Sequence, residues 1–400
     1  MLPKFFHYIK VLINSVYKDG YKATFKKMLT KYRPGLENTY AESISLLMQN
    51  FTSEDKIAII FTVVLYEKEM NQRSINCAKY FAENDYKVLF VPWQWSPNHV
   101  IKDAFLEVDQ NIYCVPLHAV QHLNSWGVYS ELQCVIAMPS NFIRKLISNN
   151  LKSDKLKTYY DIYDDWEEFS RVGMADWYCG LEDEQKLIAE CDIVSAVSPV
   201  LITKFDRVRQ DIVLSHNGYA TEVVGVGNRN IVKSPQQNKI TIGYFGHLTS
   251  KWINWEFVFK LALIENVRIE VIGNGALNAL ERQFKQHGIK YWGVVPANEL
   301  YQYVSNWHFG LVPFKDNLLC NAVDPIKIYE YLYYGLTCLA TGIPHLGEYP
   351  NTIICDELSN IDEDFLIKNW GKNTEEEVTV FLEQHTWDKQ FNLIFGVDKN

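Results

Sequence analysis

The chain has 400 residues, of which 48% are hydrophobic and 22% charged, and its formal net charge is −9. This length exceeds what one hydrophobic core usually serves, so the sequence predicts two globular domains. The acidic total argues against a nucleic-acid partner. The longest apolar run, at 57–66, is far shorter than the roughly 20 residues of a membrane-spanning helix, and no signal-peptide cleavage pattern is found.

The eight cysteines are scattered along the sequence without a C-x-x-C pair. Most of them lie within apolar stretches, which predicts reduced thiols in the core rather than disulfides or zinc ligands. This pattern favours a cytoplasmic location.

The charge is distributed unevenly. Residues 1–34 contain eight basic residues and one acid, Asp19, so this stretch carries +7 and the remainder of the chain −16. Apolar residues such as Phe5, Ile9 and Leu12 recur at helical spacing between the lysines. We therefore predict a basic amphipathic helical arm over residues 1–50. Such an arm can bind the anionic inner face of the cell membrane or dock on the protein's own acidic body, and the sequence leaves both open.

After the arm, strand-like and helix-like segments alternate, which is typical of doubly wound α/β domains. Strands are predicted at 56–66, 86–93, 111–117, 131–139, 157–165, 193–198 and 212–219, with helices at 73–85 and 181–192. Residues 221–238 are glycine-rich and polar, as expected of a linker. The sequence thus predicts an N-terminal Rossmann-like domain over 51–220.

The alternation begins again at Lys239. Strands are predicted at 239–248, 267–275, 289–295, 308–314 and 337–344, with helices between them. We therefore predict a second Rossmann-like domain over 239–372 and a helical segment over 373–400 that can pack back on the N-terminal domain. The fold class is α/β, with two doubly wound domains expected to face each other across a cleft.

The stretch DPIKIYEYLYYGLTCLAT at 324–341 carries the clearest chemical signal. Pro325 suits the first turn of a helix, where its missing N–H costs nothing and the N–H groups of Ile326 and Lys327 stay available. A helix N-terminus with a lysine beside it attracts a diphosphate. Glu330, one turn further along, can accept hydrogen bonds from the two hydroxyls of a ribose. A nucleotide sugar satisfies both groups, whereas the alternative is an amphipathic helix whose charges are merely solvated.

This stretch resembles the donor-binding segment of GT-B glycosyltransferases that use nucleotide sugars. Segments 71–91, 160–169, 191–205 with 216–218, and 242–248 are similar to other parts of the family and occur in the same order. The similarity covers roughly residues 55–390 and omits the arm. It is strongest to bacterial enzymes of capsule, teichuronic-acid or exopolysaccharide assembly.

The resemblance implies a donor site in the C-terminal domain. Glycine turns would approach the diphosphate and line the cleft, a backbone segment would face the base, and the 324–341 helix would hold diphosphate and ribose. These positions are Gly243, Gly246, His247, Lys251, Gly273, Asn274, Gly275, Gly293, Val294, Val295, Pro325, Ile326, Lys327 and Glu330. Retaining members carry a further glutamate eight residues before the ribose-binding one, where this chain has Ala322, so the sequence favours inversion.

An inverting transfer needs a base that removes the proton of the acceptor hydroxyl. YDIYDD places Asp161, Asp164 and Asp165 at the end of an apolar strand, where ligands of α/β sheets usually bind. We expect Asp165 or Asp164 to be the base, because repulsion between carboxylates raises a pKa toward neutral pH. Alternatively, one aspartate caps the following helix and another pairs with Arg73 or Arg171.

The acceptor site is less well marked. Arg73, Trp93 and Trp95 are candidates, since aromatic rings stack on sugars, although core packing is an equal alternative for the tryptophans. No D-x-D motif stands in a suitable loop, so neither a metal nor another cofactor is expected beside the nucleotide-sugar donor.

The sequence therefore predicts a metal-independent, cytoplasmic, peripheral-membrane glycosyltransferase of the surface polysaccharide, capsule or lipopolysaccharide type, with a glycan or lipid-linked glycan acceptor. The alternatives are a nucleotide-sugar epimerase of the same fold and a non-catalytic partner that binds a sugar nucleotide or glycan.

Overall fold

A computed structural model describes residues 32–68, 70–123, 128–150, 154–220, 235, 240–275, 278–355 and 361–396. Most of the predicted basic arm and linker therefore lies outside the described residues. Contacts within the chain divide it into two compact units. One unit comprises the described residues within 32–66, 81–135 and 142–157, and the other comprises those within 67–80, 136–141 and 158–396.

Eight strands form the first sheet, in the order β3-β4-β2-β1-β5-β6-β7-β8. They are β1 (Lys56–Thr62), β2 (Tyr86–Pro92), β3 (Glu107–Asp109), β4 (Ile112–Cys114), β5 (Glu131–Ile136), β6 (Leu156–Ile162), β7 (Ile193–Ala196) and β8 (Val213–Leu214). Strand β1 pairs in parallel with β2, Lys56 opposite Tyr86, whereas β3 is antiparallel to β4. Both faces of β1 are buried, which explains its continuous apolar sequence.

The helices of this half follow the predicted alternation. They are α1 (Glu37–Met48), α2 (Arg73–Glu83), α3 (Leu117–Val120), α4 (Asn141–Asn150), α5 (Trp166–Arg171), α6 (Leu181–Glu190) and α7 (Pro199–Phe205). Helix α1 falls within the predicted arm, but its sequence is not basic. Its Tyr40, Ile44 and Leu47 are buried, and the Tyr40 hydroxyl donates to the Pro97 carbonyl over 2.7 Å. The part of the arm that the structure describes is therefore docked on the protein.

The second sheet has the order β11-β10-β9-β12-β13-β14, and its pairs are parallel. Its strands are β9 (Ile240–Phe245), β10 (Val267–Ile272), β11 (Lys290–Tyr291), β12 (Phe309–Pro313), β13 (Thr337–Thr341) and β14 (Thr352–Ile354). Because β9 lies between β10 and β12, the strand order reverses there, as it does at ligand sites of doubly wound sheets.

The helices that follow along the chain are α8 (Trp255–Leu261), α9 (Asn278–Gln286), α10 (Tyr301–Val304), α11 (Leu318–Asn321), α12 (Ile326–Tyr333), α13 (Glu363–Asn369), α14 (Glu375–Gln384) and α15 (Trp387–Phe395). Helix α15 contacts the first sheet, since its Phe395 ring packs on Tyr159 of β6. Apolar side chains form two clusters, one around Trp307 and Tyr331 and one around Phe257 and Leu311. Among the described residues, no helix combines the length and apolarity needed to cross a bilayer.

The eight cysteines, all within the described residues, form no disulfide with one another, and all but Cys179 are buried. This agrees with the predicted reduced core thiols. Burial raises the pKa of several thiols, those of Cys77, Cys114, Cys191, Cys320 and Cys338.

Candidate active site

Two glycine turns meet at the carboxyl ends of β9 and β10. Gly246 has φ +133° and Gly273 has φ +144°, conformations that favour glycine. A Cβ atom on Gly273 would lie 1.8 Å from the Gly246 carbonyl oxygen. The next turn continues this edge of the sheet, because the Gly273 N–H donates to the Gly293 carbonyl over 2.8 Å. Adjacent strands therefore present exposed backbone at one edge.

His247 and Asn274 fix the outer part of these turns. The His247 Nδ1 atom lies 2.9 Å from Asn274 Oδ1, and the Leu248 N–H donates to the Asn274 carbonyl over 2.7 Å. Gly275 has φ +90°, and a Cβ on it would lie 2.8 Å from the His247 ring. The structure thus brings together the residues that the sequence placed around the donor diphosphate.

We expect Gly273→Ala to disrupt these turns, because the added methyl group meets backbone that cannot rotate away. Its positive φ alone costs about 1–3 kcal/mol. The matched control is Gly371→Ala, which has φ +58° but open space around the added Cβ. Chemical unfolding and nucleotide titration should show a much larger loss for Gly273→Ala. Equal losses of stability and nucleotide affinity in the two variants would contradict a role for the close approach of Gly273 to Gly246.

Lys327 faces the first of these turns from α12. Its Cε atom lies 3.5 Å from the Cβ position of Gly246. Its ammonium lies 5.5 Å from the centroid of the Tyr244 ring and 5.3 Å from that of Phe314. Within the described residues the ammonium has no ion-pair partner, and burial lowers its pKa to about 8. A cation held in this way is suited to an anionic ligand.

Helix α12 begins one residue later than predicted. Pro325 is extended, with φ −71° and ψ 117°, and the helix starts at Ile326. The first N–H groups of an α-helix have no partner within the helix, so Ile326 and Lys327 can still donate toward a ligand. The proline that precedes them has no N–H to leave unsatisfied.

Glu330 lies one turn into α12, with 8% of its side chain exposed. Its Oε1 atom accepts from Asn71 Nδ2 over 2.9 Å. Burial raises the pKa of Glu330 to about 7, and the Asn71 amide and the Lys327 charge oppose this rise. Sequence reasoning missed Asn71, because its position after β1 does not reveal a contact with the distant Glu330.

Asp324 anchors the segment before α12, and sequence reasoning missed this role as well. Its carboxylate accepts from the Asn217 N–H over 2.6 Å and from the Tyr329 hydroxyl over 2.8 Å. Burial by itself would raise the pKa of Asp324, but His216 and these hydrogen bonds hold it below the usual value. A Cβ on Gly218 would lie 2.7 Å from the His385 carbonyl oxygen, so H-N-G at 216–218 is a packing motif.

Three residues that were predicted to contact the nucleotide-sugar donor, Gly243, Lys251 and Val294, have other surroundings than the glycine turns. Gly243 faces the Trp307 ring, where a Cβ would lie 2.0 Å from the indole, so it makes room for packing rather than for a phosphate. The Lys251 ammonium donates to the Val172 carbonyl over 2.8 Å. Val294 is 71% exposed, which leaves the backbone around it accessible.

Asp161 is part of a buried ion pair. Arg73 Nε donates to Asp161 Oδ2 over 2.7 Å and Arg73 Nη2 to Oδ1 over 2.9 Å, with both side chains 3% exposed. Arg73 also donates to the His216 carbonyl. This pairing agrees with the alternative that one aspartate pairs with Arg73. A base role of Asp161 and an acceptor role of Arg73 stay predictions that the burial of both side chains does not favour.

The Asp165 carboxylate is also occupied by other groups of the protein. It is the N-cap of α5, accepting from the Glu168 N–H over 3.1 Å, and it pairs with Lys204 at 2.7 Å. Asp164, in contrast, is partly buried and has no hydrogen bond or ion pair with the described residues. Burial, with a smaller contribution from the Asp165 charge, raises the pKa of Asp164 to about 8. Among the described residues, the carboxylates of Asp161 and Asp165 are occupied by ion pairs, whereas that of Asp164 stays available.

Contacts join the helix that follows Asp164 to the glycine turns. The rings of Phe169 and Trp252 lie 6.2 Å apart, and those of Trp252 and His247 lie 5.6 Å apart. With the bond from Lys251 to Val172, these contacts place α5 beside the turn after β9.

The structure is similar to solved glycosyltransferases. Against sucrose-phosphate synthase from Thermosynechococcus elongatus the TM-score is 0.58, with 12% identity over 84% of this chain and 96% of that chain. Against an α,α-trehalose-phosphate synthase (UDP-forming) from Burkholderia vietnamiensis it is 0.56, with 9% identity over 84% and 97%. Against a glycosyltransferase from Rickettsia africae it is 0.55, with 12% identity over 84% and 96%.

The chain has the GT-B fold. This confirms the fold that the sequence predicted. No protein-family model matches the sequence, and no curated protein matches it either. The fold is thus recognised through its architecture.

Two predicted acceptor residues of this GT-B chain lie in the other compact unit. The rings of Trp93 and Trp95 contact each other edge to face at 5.7 Å, and Trp95 is 44% exposed. An acceptor role for them stays a prediction. Within the described ranges, no group of three or more His, Cys, Asp or Glu side chains could hold a metal ion.

Proposed function

We propose that this chain is a glycosyltransferase that moves a sugar from a nucleotide diphosphate sugar to a glycan or lipid-linked glycan. The observation that carries the proposal is the position of the Lys327 ammonium beside the Gly246 turn, at the N-terminus of α12. Exposed N–H groups and an unpaired cation together suit a diphosphate. Glu330 lies one turn away, where it can accept from ribose hydroxyls.

The comparisons support the donor class. One similar structure is that of a UDP-forming synthase, which makes a uridine diphosphate sugar the first donor to test. A thermal-shift panel of UDP-, GDP- and dTDP-sugars provides the test, because a ligand that binds the native state raises the melting temperature. We expect one class of nucleotide sugar to raise the melting temperature of the wild-type chain. Glu330→Ala should abolish this rise. A panel without any shift would overturn the proposal.

We expect Lys327→Met to separate binding from stability. Losing a charge-assisted contact should weaken nucleoside diphosphate binding by about 10–100-fold. Stability should stay equal or rise, because the desolvation of the ammonium outweighs its attraction to Glu330, as the lowered pKa of Lys327 indicates. Titration calorimetry and thermal unfolding measure the two quantities, with the exposed Lys260→Ala as a control. Unchanged affinity would contradict the diphosphate role.

We propose that transfer inverts the anomeric configuration. The acceptor oxygen attacks the anomeric carbon, Asp164 takes the hydroxyl proton, and the bond from this carbon to the diphosphate oxygen breaks. Lys327 and the N–H groups of α12 stabilise the departing charge, without need of a metal. Ala322 supports inversion, because it is fully buried at the position of the further glutamate of retaining members, and its carbonyl accepts from the Ser198 hydroxyl over 2.6 Å.

The basic arm suggests a location in the cell at which the enzyme binds its acceptor. We propose that residues 1–34, with a charge of +7, hold the enzyme at the anionic inner face of the cell membrane, where lipid-linked glycans of surface polysaccharides are assembled. The structure does not describe residues 1–31, so the proposal rests on their sequence.

We expect the full chain to sediment with vesicles that contain anionic lipid and not with neutral ones. Replacing Lys22, Lys26, Lys27 and Lys31 with glutamine should remove most of this binding, since each basic residue contributes about 1 kcal/mol near such a surface. Replacing four lysines outside the arm, Lys145, Lys186, Lys260 and Lys285, controls for net charge. Equal losses would contradict a specific role of the arm.

A further inference from the structure

A buried chain of hydrogen bonds links the proposed ribose carboxylate to the segment that precedes α2. Asn71 Nδ2 donates to Glu330 Oε1 over 2.9 Å, although 259 residues separate the two in sequence. Each side chain is 8% exposed. Such a contact is well shielded from water, so its presence or absence strongly affects the carboxylate.

The orientation of the Asn71 amide is determined by two further donors. Trp387 Nε1 donates to Asn71 Oδ1 over 2.8 Å, and Asn76 Nδ2 donates to the same oxygen over 3.0 Å. An indole nitrogen can only donate, so the amide oxygen must face Trp387. The amide nitrogen must then face Glu330.

The start of α2 is held firmly as well. Arg73, two residues after Asn71, makes the buried ion pair with Asp161 and donates to the His216 carbonyl over 2.9 Å. Asn71 therefore stands on a fixed part of the backbone, which is what precise orientation of another side chain requires.

Asn71 affects Glu330 in two ways. It occupies Oε1, while Oε2 takes no hydrogen bond from the described residues. An amide N–H also favours the ionised carboxylate, and it thereby opposes the effect of burial on the pKa of Glu330. An ionised carboxylate accepts at both of its oxygens, whereas a protonated one carries an O–H donor at one of them and is a weaker acceptor for the two hydroxyls of a ribose.

We propose that Asn71 is a positioning residue that turns Glu330 so that the site selects a nucleotide with a ribose diol. The inference rests on the proposed function, because it assigns Glu330 to the ribose. It adds a residue from the segment between β1 and α2 to the donor site.

The test compares the affinities of UDP and 2′,3′-dideoxy-UDP, or of the guanosine pair where UDP gives no thermal shift. The variants are Asn71→Ala and Trp387→Phe, the second of which keeps an aromatic ring beside Phe391 but removes the indole N–H that donates to Asn71. Asn369→Ala is the control, since Asn369 is a similarly buried asparagine whose amide donates to the Phe365 carbonyl. Each affinity is measured from pH 5.5 to 8.5.

We expect the wild-type chain to prefer the ribose form by about tenfold or more, the effect of one lost charge-assisted hydrogen bond. Its UDP affinity should fall as the pH drops through about 7, where Glu330 takes up a proton. In Asn71→Ala the preference should approach one and the pH midpoint should rise. Trp387→Phe should change the ribose preference and the pH midpoint in the same direction as Asn71→Ala but by less. Asn369→Ala should change neither quantity.

A folded Asn71→Ala variant with unchanged preference and pH midpoint would overturn the inference and leave the proposed function standing. A wild-type chain that binds neither nucleotide would overturn both. If Asn71→Ala does not fold, the same comparison is decided by Trp387→Phe.

Discussion

Asp164→Asn is expected to lower the rate of sugar transfer by about 10²–10⁴-fold, the usual contribution of a general base. Asparagine keeps the shape of the side chain but cannot accept the acceptor's proton. Donor affinity should be unchanged, because Asp164 takes no part in the proposed diphosphate or ribose contacts. Initial rates with saturating donor and nucleotide titration measure the two effects.

The pH dependence of kcat/KM provides a second test of Asp164 as the base. The pKa of Asp164 is raised to about 8, so the carboxylate is protonated below this pH and activity should rise as the pH approaches 8. The pKa of Lys327 is lowered to about 8, so its charge and donor binding should decline above that pH. We therefore expect a bell-shaped profile with its maximum near pH 8.

Asp165→Asn is the matched control. Asparagine remains a good helix N-cap, but the charge beside Asp164 disappears. The acidic limb of the profile should therefore move to lower pH while activity persists. If Asp165→Asn abolished transfer and Asp164→Asn did not, the base assignment would be wrong.

Arg73→Ala is expected to destabilise the chain by about 3–5 kcal/mol, because it leaves the Asp161 carboxylate buried without its partner. The hydrogen bonds from Arg73 to Ser215 and the His216 carbonyl are lost as well. Urea unfolding measures the effect.

The control for this change is Lys260→Ala, which breaks the exposed pair of Lys260 with Glu256 on α8. Solvent screens such a pair, so its loss should leave the unfolding midpoint unchanged. Equal stability of the two variants would show that Arg73 is not a structural anchor.

The fold could be predicted because its signals are local. Parallel strands buried on both faces give continuous apolar runs, and these marked most strands of both sheets. Strand ends were harder to place. The sequence from Cys134 to Pro139 is apolar throughout, but β5 ends at Ile136, since Ala137 and Met138 are buried in the following loop. The short strands β3 and β14 have too few residues to show a pattern.

The proximity of some candidate donor residues was also predictable, where it depends on neighbours in sequence. Gly246, Gly273 and Lys327 follow strands or begin a helix, and the structure brings them together, while their contacts with a donor stay predictions. Asn71 could not be placed in the site, because its partner is 259 residues away. The three aspartates could not be told apart, because their distinction lies in distant Arg73 and Lys204.

The burial of the thiols makes this chain convenient to label. Cys179 is the single cysteine of the eight that is not buried, and alkylation requires an accessible thiolate. A maleimide dye should therefore attach at one position in the native protein, beside the glycine that precedes α6. Native donor titrations could then be followed by fluorescence without first removing the other seven cysteines.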